Sequence, residues 1–496
     1  MTEYLYKTQV EHISDCINGR FIVRVFDAEK TAKLHETSWR KTEKKYSYLM
    51  MDKLGRIFGE RFDNCSLGEP PRADGFFEIE AAGTKLLIDR DQNVICSGFY
   101  DIDEFSSNGV AVVEKPRGKR FLINLDGSVF SDEYVDYGPF LNGFAKVQLQ
   151  NGKWSYIDEQ GNLQACMFDT AKSFYNPNFA PITMQGENFV IDRNFKIVSG
   201  PYPNIMWIDE YNIVATMGKD ESGATEYRYF TVDGVQLGPT AKFIHGFSDG
   251  ISRVLTDDGY VFIKVEDGQP ISQDKFKGAE NFCGSMSTVF VGFDENGEHM
   301  FRFIRRDGTL SEVFSSASMV GENLGIAFVE GKNGKGGKFH YINENFELSK
   351  KGYSRTGSFS EGVAHYECKK DRYTYLRDTF ERFEGDFDSC SRFSEGFGVV
   401  RQNGIYDAVS SAEIMLSDIS RFAHKITLNP LSFLELPETF LKDTELVEEL
   451  FALAYNVIAK NQDLTELELK DQLRRITAAK QNMFELAKAK HKKQRT

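Results

Sequence analysis

The sequence predicts a mainly β protein: tandem three-stranded β-meander repeats stacked in an open superhelical array, with β-propeller-like rings as the alternative, followed by a C-terminal α-helical segment. Three observations carry that expectation. A Phe, Ser or Leu, polar, Gly landmark recurs at near-constant spacing. A second landmark ending in a turn glycine keeps step with it, and after residue 408 the apolar period changes from two to that of a helix.

Residues 137–167 are the clearest copy of the unit. Phe144, Val147 and Leu149 begin a period-two run that stops at Asn151-Gly152, a pair suited to the positive φ angles of a tight hairpin. Trp154, Tyr156 and Ile157 form a second strand, which ends at Asp158-Glu159-Gln160-Gly161 with Asp and Gly at the outer positions of a type I turn. A short third strand is expected from Leu163 to Met167.

The first landmark is seen at Phe105-Ser106-Ser107-Asn108-Gly109, Phe140-Leu141-Asn142-Gly143, Phe247-Ser248-Asp249-Gly250, Phe359-Ser360-Glu361-Gly362 and Phe393-Ser394-Glu395-Gly396, with weaker copies at Gly75, Gly284 and Gly325. Glycine steps are 34 (75 to 109), 34 (109 to 143), 34 (250 to 284), 41 (284 to 325), 37 (325 to 362) and 34 (362 to 396). The interval from 143 to 250 holds two degenerate copies, around Asn178 and Asn212. The second landmark is seen at Asp52 to Gly55, Asn124 to Gly127, Asp158 to Gly161, Asp233-Gly234 and Asp307-Gly308, and Phe195 and Phe346 replace its glycine in two copies. About eleven units fit between residues 15 and 408, the first interrupted by a charged insertion near residues 26–43.

Gly143-Phe144-Ala145-Lys146-Val147 followed by Gly152-Lys153-Trp154-Ser155-Tyr156-Ile157-Asp158 resembles the WG repeat, also called the KWG repeat. Gly118-Lys119-Arg120-Phe121 and Gly337 to Asn343 are looser copies, and Trp-Ser stands where the family has Trp-Gly. The resemblance covers most of the chain. It implies a β-repeat architecture and a binding role, without a mechanism.

A unit of this length cannot bury its aromatic face alone, so its core must come from neighbours. The 42 Phe and 21 Tyr suit pleated strands and the 42 Gly suit turns. Propeller blades usually have four strands and about forty or more residues, which favours the open stack. A formal charge of −14 argues against a nucleic-acid partner for the body of the protein. Seven cysteines, with no CxxC spacing, read as reduced thiols in strands. The N-terminal residues lack a basic segment followed by an apolar run, and no stretch approaches the length of a membrane span, so a cytoplasmic protein is expected.

The array is assigned to 1–408, a connector with a short helix to 409–437, and a helical segment to 438–496. Leu446, Leu450, Leu453 and Val457 form one stripe, and Asp463 is placed to cap a helix carrying Leu467, Leu473 and Ile476. This segment reads either as a cap on the edge of the last repeat or as a docking element, with a solvated basic tail from Lys488 to Arg495.

No catalytic, cofactor-binding or metal-ligating residue is assigned, and no cofactor is expected. H-E-x-x-H and G-x-S-x-G are absent, and His245, His340 and His365 fall singly in strand positions. The Gly- and Lys-rich loop 331–338 lacks the Gly-Lys-Ser/Thr of a phosphate loop. Asp89 to Asn93 lacks the glycine and glutamate of a calcium loop, and Asp101, Asp103 and Glu104 have no matched second carboxylate. The expected function is a non-enzymatic repeat scaffold for a protein or other macromolecular partner. The alternatives are a component of a large assembly, such as a virion or secretion-associated particle, and a hydrolase with a site built between repeats.

Overall fold

The computed structural model describes residues 3–494 apart from 9, 29, 33–44, 66–71, 73, 322, 331–335 and 462–463, with side chains to residue 484 except those of residues 3, 7 and 438. The protein is mainly β: its described residues form eleven separate antiparallel sheets, with helices only after residue 415 apart from short turns near the N-terminus. The chain divides into two compact units, residues 98–355 and residues 1–97 with 356–496.

In the unit 98–355, seven sheets of three or four strands follow in chain order. The sheet of the clearest repeat is built from Asp136–Tyr137, Phe144–Gln148 and Trp154–Asp158. The third strand expected from Leu163 to Met167 is reduced to single bridges, Ile157 with Leu163 and Trp154 with Phe168. Between those bridges the Ser155 hydroxyl donates to Gln164 O at 3.1 Å and the Cys166 N–H donates to the same carbonyl at 2.8 Å, which bends the strand out of register. The missing member of the meander is the short strand before the Phe landmark.

The tightest turn is likewise displaced from where the Asn-Gly pair suggested. Asn142 and Gly143 both have positive φ, 51° and 90°, and Leu141 and Phe144 exchange both backbone hydrogen bonds, as in a two-residue type I′ hairpin. At Asn151-Gly152 only the glycine is left-handed. The second landmark is the expected turn: Gly161 N–H donates to Asp158 O, and the Asp158 carboxylate accepts from the N–H groups of Gln160 and Asn162 at 3.0 and 2.8 Å. Where Phe195 takes the glycine position it adopts φ 60°, and its ring lies on that of Tyr156 with centroids 5.4 Å apart.

Cores are shared between successive sheets. Val110, Val112 and Leu122 pack with Tyr137, Ala145, Val147 and Ile157 of the next sheet, and Ile213, Tyr229 and Leu237 pack with Ile244, Val254 and Val261 of another. In some steps a buried tyrosine stitches one sheet to the next. Tyr156 donates to Lys172 O at 2.7 Å, sixteen residues on, and Tyr375 donates to Ser391 O at 2.9 Å, again sixteen residues on. Trp154, by contrast, is only half-buried, with the Lys146 ammonium 4.6 Å from its ring centroid.

In the other unit the first sheet runs, edge to edge, Glu3–Tyr4, Arg56–Phe62, Tyr46–Asp52, Arg20–Phe26 and Val10–Ile13. Phe26 pairs with Tyr46, so the charged insertion leaves from a hairpin tip. The first sheet of the chain packs against the last. The two share one core: Phe21, Val23 and Met51 pack with Phe397, Val399 and Ala408. The Phe21 and Phe397 rings meet edge to face at 5.5 Å.

Helices Leu416–Leu428, Thr444–Ala459 and Glu466–Gln494 close over the same core through Ile419, Phe422, Leu446, Leu450, Leu453 and Ile476. Leu467 lies on the last helix as expected, and its side chain is exposed. The Asp463 cap lies outside the described residues, whereas Asp443 caps the helix before it by accepting from Leu446 N–H at 3.0 Å. Gly55 permits the closest helix contact. Its φ is +66°, and a Cβ there would fall 2.6 Å from Cβ of Ser420, whose hydroxyl donates to Gly55 O at 3.1 Å. Among the described residues no helix is long and apolar enough to cross a membrane.

Candidate functional site: a cleft where the chain ends meet

Some of the type I′ turns do more than reverse strands; they lock one repeat to the following one. Ser360 donates to Phe393 O at 2.8 Å, and the Glu361 carboxylate accepts from the N–H groups of Glu395 and Gly396, both at 2.8 Å. In the unit 98–355 the step from 248 to 284 repeats it, with Ser248 donating to Phe282 O at 2.9 Å and Asp249 accepting from Gly284 N–H at 2.8 Å. A carboxylate facing two adjacent left-handed residues meets two backbone donors aimed the same way, a strong charge-assisted pairing.

The last repeat makes the same lock with the first turn of the chain. Ser394 donates to Cys16 O at 2.8 Å, and the Glu395 carboxylate accepts from the N–H groups of Asn18 and Gly19 at 2.6 and 2.7 Å. Cys16-Ile17-Asn18-Gly19 therefore occupies the place that Phe393-Ser394-Glu395-Gly396 takes on the repeat before. Asn18 passes the link on, its side-chain amide donating to Gly75 O at 2.9 Å. Cys16 fills the position of the anchoring phenylalanine; burial pushes its thiol well above the usual range, so it is poorly suited to nucleophilic chemistry.

Beside this junction lies an open cleft of about 710 Å³. Arg20, Lys53, Arg56 and Arg90 stand along it, and Ala452, Leu453, Asn456 and Val457 of the helix Thr444–Ala459 form a wall ending at Lys460. Its carboxylates are Asp52, Glu395 and Glu449. Arg56 is paired with Asp52 at 2.7 Å, Lys53 lies 3.7 Å from Glu395, and Arg20 bonds Asp91 at 3.2 Å. Arg90 and Lys460 have no ion-pair partner among the described residues. Burial, seconded by the charge of Asp52, raises the Glu449 carboxyl above the ordinary glutamate value. A second cleft of about 640 Å³ shares Lys53, Glu395 and Glu449 with the first.

Of the residues weighed in the sequence, the Asp89 to Asn93 turn supplies Arg90 to this cleft, and Asp91 bonds its Arg20. His245 and His365 are half-buried and held below the usual imidazole value by burial, and the His340 ring bonds Ser349 O at 2.7 Å. Asp89 is a turn residue, its carboxylate accepting from the N–H groups of Asp91 and Asn93 at 2.8 Å. Asp103 lies 3.9 Å from Arg120. Residues 331–335 of the Gly- and Lys-rich loop lie outside the described residues. Among those described, no group of three or more His, Cys, Asp or Glu is placed to hold a metal ion.

The WG containing repeat family matches residues 121–154 and 382–406, each segment holding one of the type I′ turns. These two segments are WG repeats. No curated protein matches it. Solved structures similar to it include a crystal structure titled for the eukaryotic initiation factor, 11% identical with a TM-score of 0.36 over 69% of this chain and 94% of that one. Others are the computationally designed Ika8 protein, 11% identical at 0.24 over 55% and 95%, and KlHsv2 with loop 6CD replaced by a Gly-Ser linker, 11% identical at 0.26 over 57% and 96%. Likeness this weak carries no argument.

Sequence reasoning missed the turn at Cys16 to Gly19 because cysteine replaces the landmark phenylalanine. The Asn18-Gly19 pair was the signal that marked it. It also treated Glu361 and Glu395 as variable polar residues, since their acceptor role becomes visible only against another repeat.

Proposed function

We propose that this chain is a non-enzymatic repeat scaffold that holds a protein partner on its free hairpin tips. The observation that carries this reading is the contrast between the two ends of each hairpin. The landmark turn is fixed against the next repeat, in three repeats by the Ser and carboxylate lock, while the other end varies in length and charge. Tips at Pro116 to Gly118, Asp220 to Gly223, Asp257-Asp258 and Asp294 to Gly297 are exposed and differ in sign and composition. Surfaces that vary on a fixed frame are how repeat proteins recognise macromolecules.

The test replaces residues 220–223 by Asn-Gly and, separately, reverses the charges of Asp294 and Glu295. Cross-linking of full-length protein in lysate, read by mass spectrometry, should lose a specific partner in at least one variant while circular dichroism stays unchanged. Identical partners in both variants would overturn the tip-binding reading. Light scattering at tens of micromolar, the order of a weak association, should give a monomer; growth of oligomers with concentration favours an assembly component instead.

A further inference from the structure

We propose that the cleft beside the chain-end junction binds an extended acidic peptide through its carboxylates. The inference goes beyond the scaffold reading and is independent of the hairpin tips. Three features support it.

The first is charge. The chain carries a formal −14, yet five cationic side chains line this cleft (Arg20, Lys53, Arg56, Arg90, Lys460) against three anionic ones. A concave surface whose sign opposes that of the whole protein concentrates ligands of opposite charge.

The second is availability. Arg56, Lys53 and Arg20 are partly satisfied by their neighbours, but Arg90 and Lys460 spend their charge on no carboxylate among the described residues. A ligand carboxylate reaching them displaces no carboxylate of the described residues.

The third is precedent within the site. Glu395, a carboxylate from another repeat, is already gripped by two backbone N–H groups with Lys53 beside them. The chemistry of the cleft is therefore carboxylate recognition, and its unfilled cations continue the same surface. The helix side chains Leu453 and Val457 offer apolar contact to the stem of a bound side chain, and Asn456 offers an amide to a peptide backbone. An extended peptide meets both walls, which a compact inorganic ion does not.

The experiment titrates the full chain with fluorescently labelled hexaglutamate and with hexaglutamine, at low and high salt, followed by anisotropy. The cleft variant is Arg90→Glu with Lys460→Glu. A control, Lys275→Glu with Lys277→Glu, makes the same change in net charge in the other unit, where both lysines are exposed. Thermal melts verify that both variants fold. The proposal expects hexaglutamate to bind, to weaken with salt, and to lose about tenfold, or 1.4 kcal/mol, in the cleft variant with little loss in the control. Equal losses in both variants, equal binding of hexaglutamine, or displacement by inorganic phosphate as effective as by unlabelled hexaglutamate would each overturn it. Loss of hairpin-tip partners leaves this result unaffected, so the two readings fail separately.

Discussion

The lock at Glu361 joins repeats that are neighbours in the chain, whereas the lock at Glu395 joins residues 376 positions apart, and the two are made of the same bonds. Two differences separate them. The neighbouring step is anchored by the ring of Phe393, which packs with Tyr375 and Phe383; the chain-end step has Cys16 in that position. The chain-end step is also covered by helices, through Ser420 on Gly55, Tyr4 on Thr427 and a large common core. Loop-closure entropy rises by only about 0.6 kcal/mol for each doubling of length. Distance in sequence therefore does not by itself demand the helices. They replace the apolar burial that the missing phenylalanine would have supplied.

The largest effect that sharpens this comparison is loss of the anchor ring. Phe393 is 1% exposed, and Phe393→Ala should cost about 3–5 kcal/mol by transfer and cavity terms together. Cys16→Ala, equally buried, removes one sulfur atom and should cost about 1 kcal/mol. Urea denaturation of the two variants measures both. Equal costs would mean that Cys16 is an anchor in its own right and that the helices are supplementary.

The next effect isolates the helical cover and depends on pH. Asp407 lies under the start of the helix Leu416–Leu428, where its carboxylate accepts from Ser417 N–H at 3.1 Å and from Ala408 N–H at 2.7 Å. Burial nevertheless pushes its pKa up to about 6. A carboxyl raised on folding contributes stability that is fully present below its unfolded value and is lost as pH rises through the folded one. The protein should therefore lose up to about 3 kcal/mol from this group between pH 4 and 6. Asp407→Asn keeps the acceptor and removes the titration, so its melting temperature should exceed that of the parent at neutral pH and vary less over that window. A parent and variant with parallel pH profiles would show that this helix docks without strain from the buried charge.

Much of this comparison could be read from the sequence, and the rest could not for a definite reason. The turns at Asp158 and Asp89 were legible because donor and acceptor lie within four residues, so composition alone specifies the bond. The apolar stripe Leu446, Leu450 and Leu453 was legible by its period. The carboxylates Glu361 and Glu395 were not, because each bonds a turn in another repeat and looks like any polar residue in its own. The cleft was less legible still: Arg90 and Lys460 are 370 residues apart in the chain and meet only because the ends do.

The smallest effect is the most direct contrast between the locks. Glu395→Ala leaves Asn18 and Gly19 N–H and the Lys53 ammonium without their carboxylate, and Glu361→Ala does the same to Glu395 and Gly396 N–H. Both sites are partly open to water, which can replace the lost acceptor, so each variant should lose only about 1–2 kcal/mol. Where that loss appears should differ. Residues flanking Glu361 and Glu395 are tied by the intervening chain, and opening their lock gives local exchange confined to residues 389–402. No short stretch of chain ties residue 19 to residue 395, so opening that lock frees the strands Val10–Ile13 and Arg20–Phe26 to exchange together. Hydrogen exchange by mass spectrometry should therefore show faster exchange of residues 10–26 in Glu395→Ala and none there in Glu361→Ala. Unchanged protection of 10–26 in Glu395→Ala would mean that the helices alone hold the chain ends together, and that the lock at Glu395 follows from their packing.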